Sequence, residues 1–358
     1  MIRRYSSQKG YNWSFDTETG VFARWGDSIE DDPSYSPVGP EILDIEVSTI
    51  CHGVNNKPCP FCYKANTGVG ENMSLELFKK IFHKIPSNLT QIAFGIGDID
   101  SNPDLLDMFS YCRNNGGNYV VPNVTVNGWN IDDVWAKKLA SICGAVAVSR
   151  YDPKDVCYDA VQRLSNAGLE QVNIHQVLAQ ETMGSCYDLI KDVKTDKRLA
   201  GLRSVVFLLY KPKGRGKKNQ FTPVTNISAY RELMQCALDN NISIGMDSCS
   251  SPLVMKSIVE NGKVDPQSIE PCESLLFSMY INVRGELFPC SFIEGETDCE
   301  RGIPVATCDN FLKDVWFSRL ANGWRKCLLS STDKCKGMCG FADMCRACPV
   351  FDITPCKK

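Results

Sequence analysis

Between residues 42 and 246 the sequence alternates between short apolar runs and amphipathic helical patterns, and that alternation restricts the chain to few architectures. The runs fall at 42–47, 91–96, 119–126, 144–148, 171–178, 204–209 and 242–246, each of strand length. Between them, Leu75, Phe78, Phe82 and Ile85 share one helical face, and Leu105, Met108, Phe109 and Cys112 share the next. A third face is Cys157, Ala160, Val161 and Leu164, stopped by Gly168 in the place of a helix C-cap. Repeated strand–helix units of this length imply parallel strands joined by right-handed crossovers. Six or seven of them predict an α/β fold in the form of a partial (β/α)6 TIM-like barrel rather than a closed eightfold one. Before residue 41 the chain is polar and aromatic, with Thr19-Gly20 reading as a hairpin turn. From residue 249 the alternation fails and Cys, Gly, Pro and short turns take over. The expected segments are therefore 1–40, an extension with a hairpin; 41–248, the partial barrel; and 249–358, a cysteine-rich domain.

The chain of 358 residues is 43% apolar, enough for a sizeable core, and its formal charge of −3 supplies no long-range attraction to nucleic acid or anionic membrane. No apolar run follows the basic residues at the start, and none approaches the roughly 18 residues of a membrane span, so a cytoplasmic protein is expected. Nineteen cysteines stand against that background. In a reducing compartment they are not a disulfide framework, which leaves metal ligation as the leading reading. Cys51, Cys59 and Cys62 crowd together, Cys112, Cys143, Cys157, Cys186 and Cys236 are scattered singly and read as core, and the remainder lie from Cys249 to Cys356.

The first group occupies a loop directly after the first strand, where barrel enzymes carry their chemistry. Three thiolates converging in one loop suit three irons of a [4Fe–4S] cubane and leave the fourth iron open. Taken alone, the loop also suits a zinc site completed by His52 or a distant ligand.

The spacing Cys51-x7-Cys59-x2-Cys62, with aromatic Phe61 before the last cysteine, resembles the signature of the radical S-adenosylmethionine (radical SAM) superfamily, in which the first gap is usually three residues. Ala93-Phe-Gly95-Ile-Gly97-Asp98 is similar to the family's Gly-Gly-Glu motif, with Asp98 in place of the glutamate. Val124-Thr-Val-Asn127-Gly128 is similar to its Thr-Asn-Gly turn, and Ser149 matches a polar position that contacts SAM. Each taken singly is an ordinary strand-ending turn. The resemblance implies a [4Fe–4S] cluster on Cys51, Cys59 and Cys62, with SAM held near Phe61, Gly95, Gly97, Asp98, Asn127 and Ser149.

In the C-terminal segment, Cys272, Gly285 and Cys290 are followed by Cys335-x3-Cys339-x5-Cys345-x2-Cys348 and Cys356. This resembles the SPASM extension of radical SAM enzymes, whose cysteines hold auxiliary [4Fe–4S] clusters. The resemblance implies one or two such clusters. With Cys249 as an eighth ligand, Cys249, Cys272, Cys290 and Cys348 would hold the nearer and Cys335, Cys339, Cys345 and Cys356 the farther. A pair of structural zinc sites is the other reading of this spacing. Cys299, Cys308 and Cys327 are left over, either buried as small apolar residues or one of them replacing Cys249.

The basic run 211–218 (KPKGRGKK) follows the sixth strand and is read either as a grip on substrate carboxylates or SAM, or as a solvated loop. His175 reads as a barrel-lining histidine, and His83 as an ordinary helix residue. By resemblance the activity is oxidoreductase-type reductive cleavage of SAM, followed by hydrogen abstraction from a peptide or protein and its crosslinking or epimerisation. A flavodoxin- or ferredoxin-type electron donor is implied as partner. Ser291 follows Cys290 where formylglycine-forming members carry an Asp, which disfavours that reaction. With about forty residues ahead of the barrel, no separate leader-binding domain is expected. Substrate docking then falls to the barrel mouth, the N-terminal hairpin or another protein. The alternatives are the same machinery acting on a small molecule or nucleoside, and a non-catalytic zinc or iron–sulfur protein.

Overall fold

The computed structural model describes residues 1–356 apart from 8–9, 29–30, 32, 116–118, 219–220, 263 and 297–300. The N-terminal strands β1 (Ile2–Ser7), β2 (Tyr11–Asp16) and β3 (Phe22–Trp25) form an antiparallel sheet in that order. The expected hairpin joins β2 to β3, closed by Asp16 and Val21 backbone bonding. Alternation in β2 buries Tyr11, Trp13 and Phe15 on one face. They pack with Val121, Leu276, Phe277 and Leu328. Arg3 donates to the carbonyls of Leu89 (3.0 Å) and Tyr119 (2.6 Å), and Gln171 donates to that of Thr19. These partners precede barrel strands, so the sheet covers the N-terminal end of the barrel, away from the strand ends where the three-cysteine loop begins.

Six β/α units follow: β4 (Ile42–Glu46), α1 (Leu75–Lys84), β5 (Gln91–Gly95), α2 (Leu105–Asn114), β6 (Val121–Val126), α3 (Asp133–Ile142), β7 (Val146–Ser149), α4 (Lys154–Asn166), β8 (Val172–Leu178), α5 (Met183–Thr195), β9 (Ser204–Leu209) and α6 (Ile227–Asp239). A seventh parallel strand, β10 (Ile244–Met246), ends the run. The helices start where side chains can cap them: Ser74, Asp132 and Asn226 each accept from a backbone N–H three residues on. The faces read from periodicity are the faces buried, with Phe78, Ile81 and Phe82 on α1 and Leu105, Met108, Phe109 and Cys112 on α2. Each such side chain contributes about 1.5–3 kcal/mol of burial. Gly168 ends α4 in a left-handed conformation, its neighbour Leu169 bonding back to Leu164.

After β10 come α7 (Ser251–Val254), β11 (Ser278–Ile281), β12 (Glu286–Phe288), β13 (Ile303–Pro304) and α8 (Arg319–Leu329). The strand order β10-β9-β8-β7-β6-β5-β4-β11-β12-β13 shows that the sheet runs on past residue 249. β11 pairs in parallel with β4, Ser278 opposite Ile42 and Tyr280 opposite Asp44. The cysteine-rich segment is thus built onto the open edge of the first barrel strand.

Strand alternation divides the barrel residues into two sets. Leu43, Ile45, Ile92, Phe94, Val124, Val126, Ile174 and Val205 pack outward into the helix layer. Asp44, Glu46, Ala93, Gly95, Thr125, Asn127, Ala147, Ser149, His175 and Val206 therefore face the lumen. Among the described residues no helix is long and apolar enough to cross a membrane.

Candidate active site: a three-cysteine loop beside two cysteine quartets

The loop after β4 is fixed at both ends. Cys51 N–H donates to Thr67 O (2.7 Å), and Asp98 N–H, beyond β5, donates to Ile50 O (3.4 Å). The seven residues separating Cys51 from Cys59 are folded up as a small finger in which Val54 bridges Lys57. Asn55 and Asn56 at its tip both have positive φ, as a two-residue type I′ turn requires, and Asn tolerates that region. A side chain on Gly53 would stand 2.1 Å from Lys57 O, so only glycine fits beneath the finger. Val54 is buried and anchors it. The lengthened gap thereby returns the chain to Cys59, and Cys62 N–H donates back to Cys59 O (3.2 Å).

The thiols share one neighbourhood. Burial, then Asp98, pushes Cys51 up to about 11. Burial, then Cys62 and Cys51, pushes Cys59 up to about 12. Burial raises Tyr151, whose surroundings include Cys59, Cys62 and Cys51 and whose hydroxyl bonds to Ser149. Phe61 packs between Tyr151 (5.4 Å between rings) and Phe221 (5.1 Å). Gly97 lies directly under Cys51: a side-chain carbon there would stand 2.3 Å from Cys51 Cβ.

Asp98 is 3% exposed and fully engaged. One oxygen accepts from the His52 backbone N–H (2.8 Å) and meets His52 Nδ1 (2.8 Å), while the other accepts from Asn127 Nδ2 (3.0 Å). Asn127 Nδ2 is also 3.8 Å from Cys51 Sγ. Gly95 sits at the end of β5, exposed to the lumen, with only Ile45 O and Glu46 Cα within 4 Å of where a side-chain carbon would be. The structure thus brings together Cys51, Cys59, Cys62, Phe61, Gly97, Asp98, Asn127 and Ser149, with Gly95 opening space beside them.

Three soft thiols with no fourth cysteine fit a cubane with one open iron. His52, the residue a zinc site would call upon, has Nδ1 on Asp98, and its Nε2 edge lies against Gly68, where a side-chain carbon would be 2.8 Å away. Among the described residues, no three His, Cys, Asp or Glu side chains stand as ligands of a single metal ion.

The C-terminal cysteines fall into two sets by mutual influence. Burial raises Cys249, with Cys272 and Cys290 adding to it. Burial, then Cys272 and more weakly Cys348, pushes Cys290 up to about 12. In the other set, burial followed by Cys356, Cys339 and Cys335 pushes Cys345 up to about 12. Burial, then Cys335 and Cys339, raises Cys356. Cys249, Cys272, Cys290 and Cys348 thus neighbour one another, as do Cys335, Cys339, Cys345 and Cys356. Of the cysteines left over, Cys308 is buried, Cys327 is exposed rather than buried as expected, and Cys299 lies outside the described residues. Cys112, Cys143, Cys157 and Cys186 are buried as expected, and Cys236 is half-buried.

Three cations of the basic run, Lys211, Lys213 and Arg215, are committed within the chain, while Lys217 is exposed and pairs with Glu296. Lys211 is buried and paired with Asp247 (2.7 Å), beside Cys249 and Cys290. Lys213 donates to the carbonyls of Ser291, Phe292 and Glu294. Arg215 holds the three-cysteine loop through Cys59 O (2.8 Å) and Asn66 O (2.7 Å). The run is a strap joining that loop to the C-terminal segment.

Sequence reasoning missed a second feature. Glu46, Lys64, Tyr280 and Glu294 interlock, Lys64 Nζ meeting Glu46 (3.2 Å), Tyr280 Oη (2.7 Å) and Glu294. Burial pushes the Glu46 carboxyl up against the pull of Lys64, whereas Lys64 holds Glu294 below its ordinary value despite burial. The network borders a cavity of about 380 Å³ between the loop and the β11–β12 turn. The signal available was two acids, Asp44 and Glu46, on one face of an otherwise apolar strand.

No protein-family model and no curated protein sequence matches the chain. Solved structures do match. SuiB of Streptococcus suis, bound to the precursor peptide SuiA, is 18% identical over 87% of this chain and 72% of that one, with a TM-score of 0.68. anSMEcpe with bound AdoMet and the Cp18Cys peptide is 16% identical over 87% of this chain and 91% of that one, with a TM-score of 0.61. The chain shares the fold of these two structures, here a partial barrel carrying a cysteine-rich C-terminal extension.

Proposed function

We propose that the protein is a radical SAM enzyme that modifies a peptide or protein. The observation that carries this reading is the three-thiol loop at the end of β4, tied by Asp98 and Asn127 to the ends of the next two strands. Cys51, Cys59 and Cys62 would hold a [4Fe–4S] cluster whose fourth iron takes SAM. Once bound, the pair supplies reductive cleavage of SAM to methionine and a 5′-deoxyadenosyl radical, which takes hydrogen from an unactivated carbon.

The chain's own residues supply the setting. Asp98 and Asn127 orient the loop, and the polar edge of Ser149 and Tyr151 faces the same space. Tyr63, stacked on Phe292 (4.3 Å), together with Phe61 and Phe221, would give that space an aromatic wall. The two quartets would hold auxiliary clusters, with a flavodoxin- or ferredoxin-type protein delivering electrons. A peptide substrate is supported by SuiB and anSMEcpe, each solved with a peptide bound.

Anaerobic reconstitution tests the reading. The wild type should hold about three cubanes' worth of iron and form 5′-deoxyadenosine from SAM and dithionite. A Cys51/Cys59/Cys62→Ala variant should lose about one third of the iron and all of the 5′-deoxyadenosine. Zinc in place of iron, or iron without SAM cleavage, would return the chain to a non-catalytic metal-binding role.

A further inference from the structure

The lumen-facing positions of the barrel strands carry two carboxylates, Asp44 and Glu46, both on β4. Glu46 is spoken for by Lys64 and Tyr280. Asp44 has no hydrogen-bond or ion-pair partner among the described residues, although its neighbours lower in the lumen do pair, Asn123 with Gln91 and Ser204 with Asn173. Its position is open on the β5 side, where the cross-strand neighbour is Ala93 and the next lumen position is Gly95, which has no side chain to fill the volume in front of β4, while on the β11 side its neighbour is Tyr280. Tyr63, the residue after Cys62, lies within the influence of both Asp44 and Glu46 and bonds to Ser291, so Asp44 looks toward the space between the three-cysteine loop and the nearer quartet.

Among the described residues, the cations of the surrounding mouth are engaged elsewhere. Lys64 is held by Glu46 and Glu294, Lys211 by Asp247, and Lys213 by three carbonyls. Arg215 is held by Cys59 and Asn66, and Arg150 by Tyr158 and Gln176. His175, across the lumen on β8, is driven by burial to about 4 and is neutral near pH 7. The Asp44 side chain is exposed to the lumen, and the protein around it raises its carboxyl to about 6, so near neutral pH it is ionised. An ionised carboxylate without a partner on a lumen-facing position attracts a cationic group that enters the chamber.

We propose that Asp44 is a substrate-binding residue that receives a cationic group of the peptide, a lysine or arginine side chain or a free amino terminus. The proposal rests on the reading of the barrel as the substrate chamber and adds to it the charge of the group that enters. The probes are three pentapeptides: acetyl-Gly-Gly-Lys-Gly-Gly-amide, its norleucine counterpart, and unacetylated pentaglycine amide. Binding is measured by equilibrium dialysis on reconstituted wild type, Asp44→Asn and Asp44→Glu, with iron content as the control for folding. A charge-assisted bond predicts that wild type binds the lysine peptide about tenfold tighter than the norleucine peptide. That ratio should collapse in Asp44→Asn and persist in Asp44→Glu. Preference for pentaglycine amide over the norleucine peptide, lost in the same variant, identifies the amino terminus as the source. Equal binding or no binding of the peptides to wild type, or a ratio that survives Asp44→Asn, overturns the proposal. So does a loss of SAM affinity in Asp44→Asn without any peptide preference, which assigns the carboxylate to SAM instead. 5′-Deoxyadenosine formation is assayed separately, so an enzyme that cleaves SAM without charge preference refutes only the role of Asp44. Charge preference without SAM cleavage refutes only the radical SAM reading.

Discussion

At Gly97 the packing of a single residue decides whether the three-cysteine loop can close. A methyl group there would stand 2.3 Å from Cys51 Cβ and 2.6 Å from Ile50 O, and the Ile50 carbonyl is backbone that cannot swing aside. Gly97→Ala is expected to fold, because the displaced atoms belong to the loop and not to the helix-side core. It should lose about one third of the reconstituted iron and keep the auxiliary share, read from iron analysis and absorbance. Uniform loss from all three sites would mean that Gly97 supports the fold and not the loop. Asp98 shows how far a residue is legible in a motif. Its place after β5 was readable, but that its carboxylate would be taken by His52 and Asn127 was not, because those partners lie 46 and 29 residues away.

The element whose form was least expected is the finger between Cys51 and Cys59. The extra residues of the long gap form a turn whose two central asparagines sit in the left-handed region. Val-Asn-Asn-Lys is a legible I′ hairpin sequence, so the signal was present in the chain. A β-branched residue pays about 1–2 kcal/mol in that conformation, and Asn56 is exposed, so it loses no packing when replaced. Asn56→Val should therefore hasten release of iron to a chelator, while Asn56→Gly leaves the rate near wild type. Equal rates would show that the finger does not hold the loop. The helices were the more legible elements, because an amphipathic face and a capping side chain are properties of ten or so consecutive residues. Phe109 and Cys112 were assigned to the core by spacing alone and lie in it.

Across the whole molecule, a buried ionic knot fastens the N-terminal sheet to the barrel. Arg24 pairs with Glu41 (2.7 Å) and Glu273 (3.0 Å), and Tyr11 donates to Glu41 (2.5 Å). Burial, opposed by Arg24, pushes Glu41 up to about 7. The folded chain therefore holds this proton where the unfolded chain, near 4.5, has released it. The resulting contribution to stability is complete below about 4.5 and is lost as pH rises through about 7. Denaturant unfolding at about pH 5 and about pH 8 should show wild type losing more stability across the interval than Glu41→Gln. Parallel loss in the two proteins would locate the dependence elsewhere.

The chain sequence by itself determined the succession of strands and helices, the faces those elements bury and the three-cysteine loop after the first strand. Periodicity, caps and turns act over a few residues, so neighbours in sequence are enough to specify them. Tertiary structure decided what depends on residues far apart. The pairing of β11 with β4 carries the sheet through residue 249, where a change of composition had suggested a domain boundary. Lys211, Lys213 and Arg215 of the strap are committed to Asp247 and to loop carbonyls, and the cysteines of the C-terminal segment sort into two sets. Asp44 reads in the sequence as one of two acids on one face of an otherwise apolar strand. Among the described residues it stands without a partner because the cations of the mouth are committed elsewhere, a fact that exists only once those partners have been brought together.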